Sequence, residues 1–454
     1  MNQRRLEFYL VGGILCAKIA LVFLVVFFLG NSSLLWSGDS LEYIDLGTNL
    51  IKGNGFARTI DGVIVPAHDR MPLYPLVVGF LYQLSGFHSF ILVALLQAFC
   101  AAGIAFFTFR IARFFLSQVV ACVIAILVVV EPISALLHLL VFPETLLLFF
   151  TSMFCYFLLR YLAEHQNRDL LISLAALLAA TYTKPVAMYL LALPIIIFLI
   201  FGRARVARLI AVISVLSSIV LLPWVVRNHA MFGIVTLNTF GQKAFCGYQI
   251  SAVFATAQGF RETSPGVAMI AVREFEEFTA LEEQCHRSKL GALTMLVTKY
   301  PAAFLRVNTL VALGYLTNDG YINIFQNRVS ALTIHHNYLT PAVFAGPDWR
   351  THLIAAFSGL TWLQKIIVVV GRLFWIAVLG FACRGAWVLM RGARLRELAF
   401  VLICIIVYFA VLSIVGAAFA AGARYRFQIN PFLFIFAAHG ILVERERFRK
   451  YMLS

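Results

Sequence analysis

Acidic residues gather within residues 31–75, directly after the first apolar run of the chain. The whole chain holds 21 acidic residues. Five of them lie in this stretch: Asp39, Glu42, Asp45, Asp61 and Asp69. A carboxylate at the end of a bundle of transmembrane helices costs free energy to place there, so such residues are candidates for function. We therefore expect this stretch to carry acid/base chemistry, in which a carboxylate takes the proton of a neutral hydroxyl.

Asp39 also has a purely local explanation. Asp39 and Glu42 have the spacing of a capping box, which predicts a helix over SLEYIDLGTNLIKG that ends at Gly53 or Gly55. A cap does not explain why this helix stands against the membrane face. Both roles of Asp39, helix cap and general base, stay open at this point.

Several basic residues fall on the side of the membrane where positive charge is usually depleted. They are Arg70 in DRMPLYP, Lys184 in TYTKPVA, Arg227 in LPWVVRNHAMFG, and Arg424 and Arg426 in GARYRFQINP. Such side chains can simply snorkel to the interface. The alternative is that they grip an anionic lipid phosphate while a carboxylate acts on a hydroxyl.

A third polar group lies in EPISALLHLLVFPE, where Glu131 and Glu144 flank a turn that contains His138. A carboxylate at membrane depth is a functional candidate. Together with an aspartate, such a cluster can also hold a divalent metal, although this spacing is not diagnostic.

The composition predicts the elements that must position these residues. The chain has 454 residues, of which 62% are hydrophobic and only 13% charged, which excludes an ordinary soluble domain. Many apolar runs have the length of a bilayer-crossing helix, which predicts an all-α polytopic membrane protein. The net charge of +15 lies in short clusters between these runs, as expected for topology signals rather than for binding to nucleic acid.

Charge placement predicts ten transmembrane helices, or twelve with an extra pair at 299–317 and 351–363, with both termini in the cytoplasm. We expect the segment 71–86 to be re-entrant or interfacial. The predicted spans are 9–30, 88–109, 115–133, 136–160, 169–184, 186–201, 209–224, 366–390, 398–418 and 428–443. Residues 225–298 and 318–350 are mixed polar loops, and 254–289 has helical patterning.

Cysteines divide into two groups. Six lie in apolar runs and are expected to be packing residues: Cys16, Cys100, Cys122, Cys155, Cys383 and Cys404. Cys246 and Cys285 fall in the large polar loop. They can pair if that loop faces an oxidising compartment, but the spacing alone does not decide this.

Six motifs, in order along the chain, resemble those of the GT-C superfamily of membrane glycosyltransferases. The resemblance is to the bacterial branch related to protein O-mannosyltransferases and to the aminoarabinose transferases that modify lipid A. The motifs are GDSLEYIDLGTNLIKGNGF, DRMPLYP, FPE, TKP, LPWVVRNHAMFG and, more weakly, ARYRFQINPFLF. Signatures of ATP-driven enzymes and zinc proteases, such as a P-loop or H-E-x-x-H, are missing from the sequence.

This resemblance implies an inverting glycosyltransferase that takes a sugar from a polyprenyl-phosphate donor. The first-loop aspartate of the family matches Asp39, the general base for the acceptor hydroxyl. The family residues associated with the donor phosphate match Arg70, Lys184, and Arg424 or Arg426. Supporting roles are expected for Glu42, Tyr43, Asp69, Tyr74, His138, Glu144, Arg227 and Asn228.

The sequence departs from the family in one respect, because Ser40 stands where a glutamate commonly follows the aspartate. Glu42 is therefore expected to be structural or secondary. The resemblance requires no cofactor and no metal site, although a divalent cation is left open because some GT-C enzymes need one.

The resemblance also predicts the organisation of the chain. Residues 1–224 form an N-terminal transmembrane module with the catalytic loop 31–75, which contains interfacial helices. Residues 225–363 form external loops and interfacial helices, residues 364–454 form a C-terminal transmembrane module, and there is no separate large soluble domain.

The expected location is the bacterial inner membrane, with the active site on the periplasmic face. The expected partners are a polyprenyl-phosphate sugar, the lipid bilayer and a glycan, lipid or protein acceptor. Two other activities would use the same lipid phosphate: a polymerase or ligase of lipid-linked glycans, and a lipid-phosphate flippase or transporter. A transporter would be expected to show an internal repeat, and the sequence shows none clearly.

Overall fold

A computed structural model describes most of the chain as α-helix. The described residues are 3–28, 38–86, 90–201, 210–211, 214–215, 219–259, 272–273, 275–325, 350, 354, 357, 359–393, 395–418 and 421–453. Three parts of the predicted organisation fall partly or wholly outside these residues: the basic link 202–208, six residues of the predicted span 209–224, and most of 318–363. The chain forms two compact units. The first comprises Met1–Asn238, Gly380–Ile406 and Gln428–Ser454, and the second comprises Thr239–Leu379 and Val407–Phe427.

The first part of the chain, up to residue 238, consists of helices and one short hairpin. In chain order the elements are α1 (Gln3–Phe28), α2 (Gly38–Ile51), β1 (Ala57–Ile60), β2 (Val63–Pro66), α3 (Leu73–Leu84), α4 (Ile91–Ala112), α5 (Gln118–Val130), α6 (Pro132–Leu137), α7 (Glu144–Glu164), α8 (Asn167–Thr183), a 3-10 segment (Pro185–Ala192), α9 (Leu193–Ile200) and α10 (Leu222–Phe232).

The remainder of the chain is helical throughout its described parts. Its elements are α11 (Phe240–Ala244), a π-helical segment (Phe245–Ile250), α12 (Ser251–Ala257), α13 (Glu276–Arg287), α14 (Lys289–Lys299), α15 (Pro301–Thr317), α16 (Tyr321–Phe325), α17 (Trp362–Arg391), α18 (Arg396–Ala417), α19 (Ala423–Arg426), a 3-10 turn (Phe427–Ile429) and α20 (Asn430–Leu453).

Six helices within the described ranges are long and apolar enough to cross a membrane. The helical segments that meet this criterion are Arg5–Phe27, Ile91–Ala112, Glu144–Glu164, Trp362–Arg391, Arg396–Ala417 and Ala423–Arg449. Three shorter apolar helical segments cover Leu73–Leu84, Gln118–Val130 and Pro185–Ile200. The architecture is thus the all-α membrane class that the sequence predicts, while the total of ten to twelve spans stays a prediction.

The first loop folds into α2, a two-stranded hairpin and α3. The helix expected over SLEYIDLGTNLIKG is present as α2, and Gly53 adopts a positive φ of 83° just beyond it. The capping box is wrong, because Asp39 lies inside the first turn and the Glu42 carboxylate binds arginine side chains instead. At 12 residues, α3 is about 18 Å long, too short for a hydrocarbon core of about 30 Å, consistent with the predicted re-entrant or interfacial segment.

The sequence predicts one continuous span over 136–160, and this boundary is wrong. The chain instead forms the short helix α6, turns over residues 138–143 and begins α7 at Glu144. Pro132 is the first residue of α6, a position at which a backbone N–H would have no partner within the helix. Pro143 directly precedes α7. The turn therefore places Glu144 in the first turn of a helix rather than inside one.

A disulfide joins Cys246 to Cys285 across 39 residues in the second unit. The pairing that the sequence left open is therefore present. The other six cysteines are unpaired: Cys100 and Cys155 are buried, as expected for packing residues, whereas Cys16 and Cys383 are exposed on their helices.

Close packing of α2 on α3 depends on two facing glycines, and this generates a prediction about stability. A Cβ added at Gly79 would overlap the backbone of Gly47, and backbone cannot rotate away. We expect Gly79→Ala to lower the free energy of unfolding by ~1–3 kcal/mol, the usual cost of overpacking. The thermal unfolding temperature of the purified protein in detergent would measure the change.

Gly12→Ala on α1 is the matched control, because a Cβ at Gly12 meets no atom within 4 Å. That variant should unfold at the wild-type temperature or slightly above it, since alanine favours helix. Equal unfolding temperatures for the two variants would contradict the close approach of α2 and α3.

Candidate active site

The Glu42 carboxylate lies at the centre of the polar cluster in the first loop. Arg70 donates to it through Nε at 2.7 Å and also through Nη2. Arg58, on strand β1, pairs with the other oxygen of Glu42 and donates to Asp69 Oδ1 at 2.7 Å. All four side chains are partly or largely buried. Charge-assisted pairs of this kind are strong and directional, so this cluster fixes α2, the hairpin and the segment before α3 against one another.

Asp39 lies one helical turn before Glu42, in the first turn of α2. Burial lowers the pKa of Arg70, but Tyr43, Glu42 and Asp39 raise it by more, and the pKa stands above its ordinary value. Arg70 is therefore a permanent cation within electrostatic reach of Asp39.

Two tyrosines complete the surroundings of Arg70. The Tyr43 and Tyr74 rings meet edge to face with centroids 5.2 Å apart, and both residues are buried. The Arg70 guanidinium lies 5.2 Å from the centre of the Tyr43 ring. Tyr43 therefore contacts the predicted phosphate-binding cation, and Tyr74 packs against Tyr43.

Asp45 links helix α2 to strand β1 through hydrogen bonds with Thr59. Its carboxylate accepts from the backbone N–H of Thr59 at 2.7 Å and from the Thr59 hydroxyl at 3.0 Å. Asn49 donates to both side chains, so this group fastens strand β1 to α2. Asp61 lies at the exposed turn of the hairpin with a φ of 50°.

Arg227 holds both ends of the hairpin. Its guanidinium donates to the carbonyl of Ala67 at 2.5 Å and to that of Phe56 at 3.0 Å. The same group lies 5.0 Å from the centre of the Trp224 ring. Asn228 is buried and donates to the carbonyls of Thr236 and Leu237, which fixes the chain that leaves α10.

Lys184 and Glu144 form a second ion pair, with Nζ 2.9 Å from Oε1. Lys184 adopts an extended backbone (φ −152°, ψ 124°) between α8 and the 3-10 segment, because the residue before a proline is pushed out of the helical region. Glu144 is buried in the first turn of α7, and Gln428 donates to its carbonyl at 3.1 Å. The motifs FPE and TKP, 40 residues apart, therefore meet in one contact.

His138 is buried in the turn before α7. Nearby, Glu131 caps α6 by accepting from the backbone N–H and the hydroxyl of Ser134, each at 2.8 Å. Among the described residues, no three His, Cys, Asp or Glu side chains come close enough to hold a metal ion. Metal dependence and the absence of a cofactor stay predictions.

Arg424 and Arg426 lie on the four-residue helix α19, in the second unit. Arg426 is fully buried, with its guanidinium 3.5 Å from the centre of the Trp375 ring and Nη1 3.0 Å from the carbonyl of Leu316. It thereby satisfies a carbonyl at the C-terminal end of α15. Arg424 is also buried.

Sequence reasoning missed Arg58 and the hairpin that carries it. The signal was the pair Asp61-Gly62 between the short runs ARTI and VIVP, since Asp-Gly flanked by β-branched residues favours a two-residue hairpin turn. The hairpin has ten residues, 57–66, and each of its strands has only four, which gives a weak periodic signal.

A sequence model of a protein family matches residues 69–226. The family is described as dolichyl-phosphate-mannose-protein mannosyltransferase. The matched range includes Arg70, Glu144 and Lys184. It begins after Asp39 and ends one residue before Arg227. No curated protein sequence matches the chain.

The chain is also similar to a solved structure, that of the archaeal oligosaccharyltransferase AglB from Archaeoglobus fulgidus in complex with an inhibitory peptide and a dolichol-phosphate. The TM-score is 0.52 at 14% sequence identity. The match covers 98% of this chain and 51% of the archaeal chain, so this chain spans about half the length of that protein. Together the two comparisons confirm the GT-C fold and the resemblance to that superfamily, while the bacterial branch stays a prediction.

The contacts of Arg227 generate a prediction about the hairpin. We expect Arg227→Ala to leave two carbonyls without their charged donor and so to loosen residues 56–67. The loss of such hydrogen bonds should accelerate backbone amide hydrogen exchange in this segment roughly tenfold or more. Exchange measured by mass spectrometry on the purified protein tests this.

Arg287→Ala is the control for this experiment, because the Arg287 side chain is 83% exposed on α13. It should leave exchange in 56–67 unchanged. If Arg227→Ala behaves as Arg287→Ala does, Arg227 does not hold the hairpin.

Proposed function

We propose that this chain is an inverting glycosyltransferase, of enzyme class EC 2.4, that moves a sugar from a polyprenyl-phosphate donor to an acceptor hydroxyl. The observation that carries the proposal is the position of Asp39, a carboxylate in the first turn of α2 within electrostatic reach of Arg70. This pair supplies the two groups that the reaction needs, a base for the hydroxyl and a cation for the phosphate. The GT-C fold and the family match support it.

We assign the role of base to Asp39, which matches the first-loop aspartate of the family and lies in the first turn of α2. The contacts of two other first-loop carboxylates give them structural roles. The oxygens of Glu42 are already bound by two guanidinium groups, and those of Asp45 by Thr59 and Asn49. In the proposed step, Asp39 takes the proton as the acceptor oxygen attacks C1 of the sugar. The bond from C1 to the phosphate oxygen breaks, and its electron pair leaves with the polyprenyl phosphate.

Arg70 and Lys184 are proposed to stabilise the charge on the departing phosphate. Each is held in place by a carboxylate, Glu42 or Glu144, so neither cation must be ordered when the donor arrives. Fixed charges in a site shielded from water stabilise developing charge more than mobile ones do. The resemblance also associates Arg424 or Arg426 with the donor phosphate, and that role stays a proposal.

The reaction is proposed to take place on the non-cytoplasmic face of a bacterial inner membrane, with both chain termini in the cytoplasm. The disulfide between Cys246 and Cys285 supports this sidedness for the polar loop, because disulfides persist in oxidising compartments and are rare in the cytosol. The acceptor is a glycan, a lipid or a protein.

Asp39→Asn tests the base. This variant should lose transfer by ~100-fold or more, because general-base catalysis contributes that much, while it still binds the donor. The assay uses purified protein with a panel of polyprenyl-phosphate sugars and measures the release of free polyprenyl phosphate. Retained transfer by Asp39→Asn would exclude the assignment.

Asp61→Asn is the matched control, since it makes the same chemical change in the same loop at an exposed turn. Asparagine tolerates the positive φ of that position, so the fold should persist. Transfer should remain at the wild-type level. A ligase would instead require diphosphate-linked oligosaccharide, and a flippase would move lipid without releasing polyprenyl phosphate.

The proposed sidedness predicts how a cysteine placed on the surface of the polar loop reacts in intact cells. Cys246 and Cys285 are themselves buried, so the reporter is Glu283→Cys, at a position whose side chain is 66% exposed on α13. A membrane-impermeant maleimide should label this variant above the level of the wild-type chain without cell lysis. Labelling that requires cell lysis would place this loop on the cytoplasmic side.

A further inference from the structure

The tip of the first-loop hairpin exposes large apolar side chains. Ile60 is 52% exposed, Val63 62%, Ile64 47% and Val65 39%. The one charged residue between Ile60 and Pro66 is Asp61, in the turn. A contiguous group of exposed β-branched side chains on a short hairpin marks an interaction surface rather than a solvated loop.

Both faces of the hairpin are apolar at the tip. In the strand register, Ile60 pairs with Val63 and Thr59 with Ile64. Successive residues of a strand point to opposite faces, so Val63 and Ile64 lie on different sides. A hairpin with one face in water alternates apolar and polar residues. The absence of that alternation at this tip favours an apolar environment on both sides.

The neighbouring helix α3 has the same character. Its exposed large side chains are Leu76, Phe80 and Leu84, spaced four residues apart, which places them in one stripe along the helix. Only six residues separate β2 from α3. The apolar tip is therefore close in sequence to an apolar helix surface on a segment too short to cross a bilayer.

The base of the hairpin is polar and firmly held. Arg58 binds Glu42 and Asp69, Thr59 binds Asp45, and Arg227 holds the two flanking carbonyls. Beside it, Trp224 donates its indole N–H to the carbonyl of Leu237. Tryptophan side chains, which combine an apolar ring system with one hydrogen-bond donor, are enriched at the level of the lipid headgroups.

We infer that the hairpin tip, residues 60–65, inserts into the bilayer beside α3, with lipid as its partner. Four strand residues extend about 13 Å, enough for the tip to reach the depth of ~5–10 Å that interfacial elements occupy. Because the base is fastened to α2, the inserted tip sets the height of Asp39 and Arg70 above the bilayer. That consequence rests on the proposed function; the insertion itself does not.

The test measures the depth of the tip in the intact protein. An environment-sensitive fluorescent amino acid is incorporated singly at Val63 or Ile64, and the full chain is reconstituted into phospholipid nanodiscs. Lipids that carry a nitroxide near the top of the acyl chain quench nearby fluorophores. We expect quenching at both positions to exceed that at a water-facing site by about twofold or more, as interfacial burial requires.

Two reference positions calibrate the measurement. Val123, 59% exposed in the apolar helix α5, reports lipid contact, and Glu283, whose side chain is 66% exposed on the charged helix α13, reports water. Both hairpin positions are exposed, so the label should not disturb folding. Quenching equal to that at Glu283 would overturn the inference. Quenching that stays low in lipid, with protection only when a peptide acceptor is added, would assign the tip to acceptor docking instead.

Discussion

The first loop depends on a single shared carboxylate, Glu42, which binds Arg58 and Arg70 at once. These three residues come from α2, the hairpin and the segment before α3, so one cluster fixes three pieces of backbone. Asp69 binds Arg58 as well, and two carboxylates thus balance two guanidinium groups. Such balance matters where side chains are removed from water, because an uncompensated buried charge is strongly destabilising.

The same arrangement divides the acidic residues by task. Glu42, Asp45 and Asp69 hold backbone and cations in place, and Asp61 forms an exposed turn. Asp39 lies in the first turn of α2, one turn before Glu42. In the pair of Lys184 and Glu144, a carboxylate likewise holds a cation in place. Cations that are positioned by carboxylates keep their charge and geometry without a bound ligand, which suits the stabilisation of a departing phosphate.

Arg227 illustrates how a motif residue can have a structural role. The sequence marks it as an outward cation, and the structure gives it the carbonyls of Phe56 and Ala67. It holds the hairpin whose Arg58 in turn binds Glu42. Arg426 is similar in the second unit, where it satisfies a helix C-terminus and stacks on Trp375. Arginine suits such places because its planar fork makes several directed bonds.

The sequence by itself determined the membrane class, the helices α2 and α3, the GT-C resemblance and the motifs that hold Arg70, Lys184 and Glu144. Hydrophobic run length, proline positions and motif order are local properties, so one chain suffices to read them. Only the tertiary structure decided that Glu42 is shared, that Arg58 takes part, that Lys184 meets Glu144 and that Cys246 joins Cys285. Those pairings join residues 16 to 40 positions apart, and partner choice at that distance depends on how the chain folds back, which spacing in the sequence does not encode.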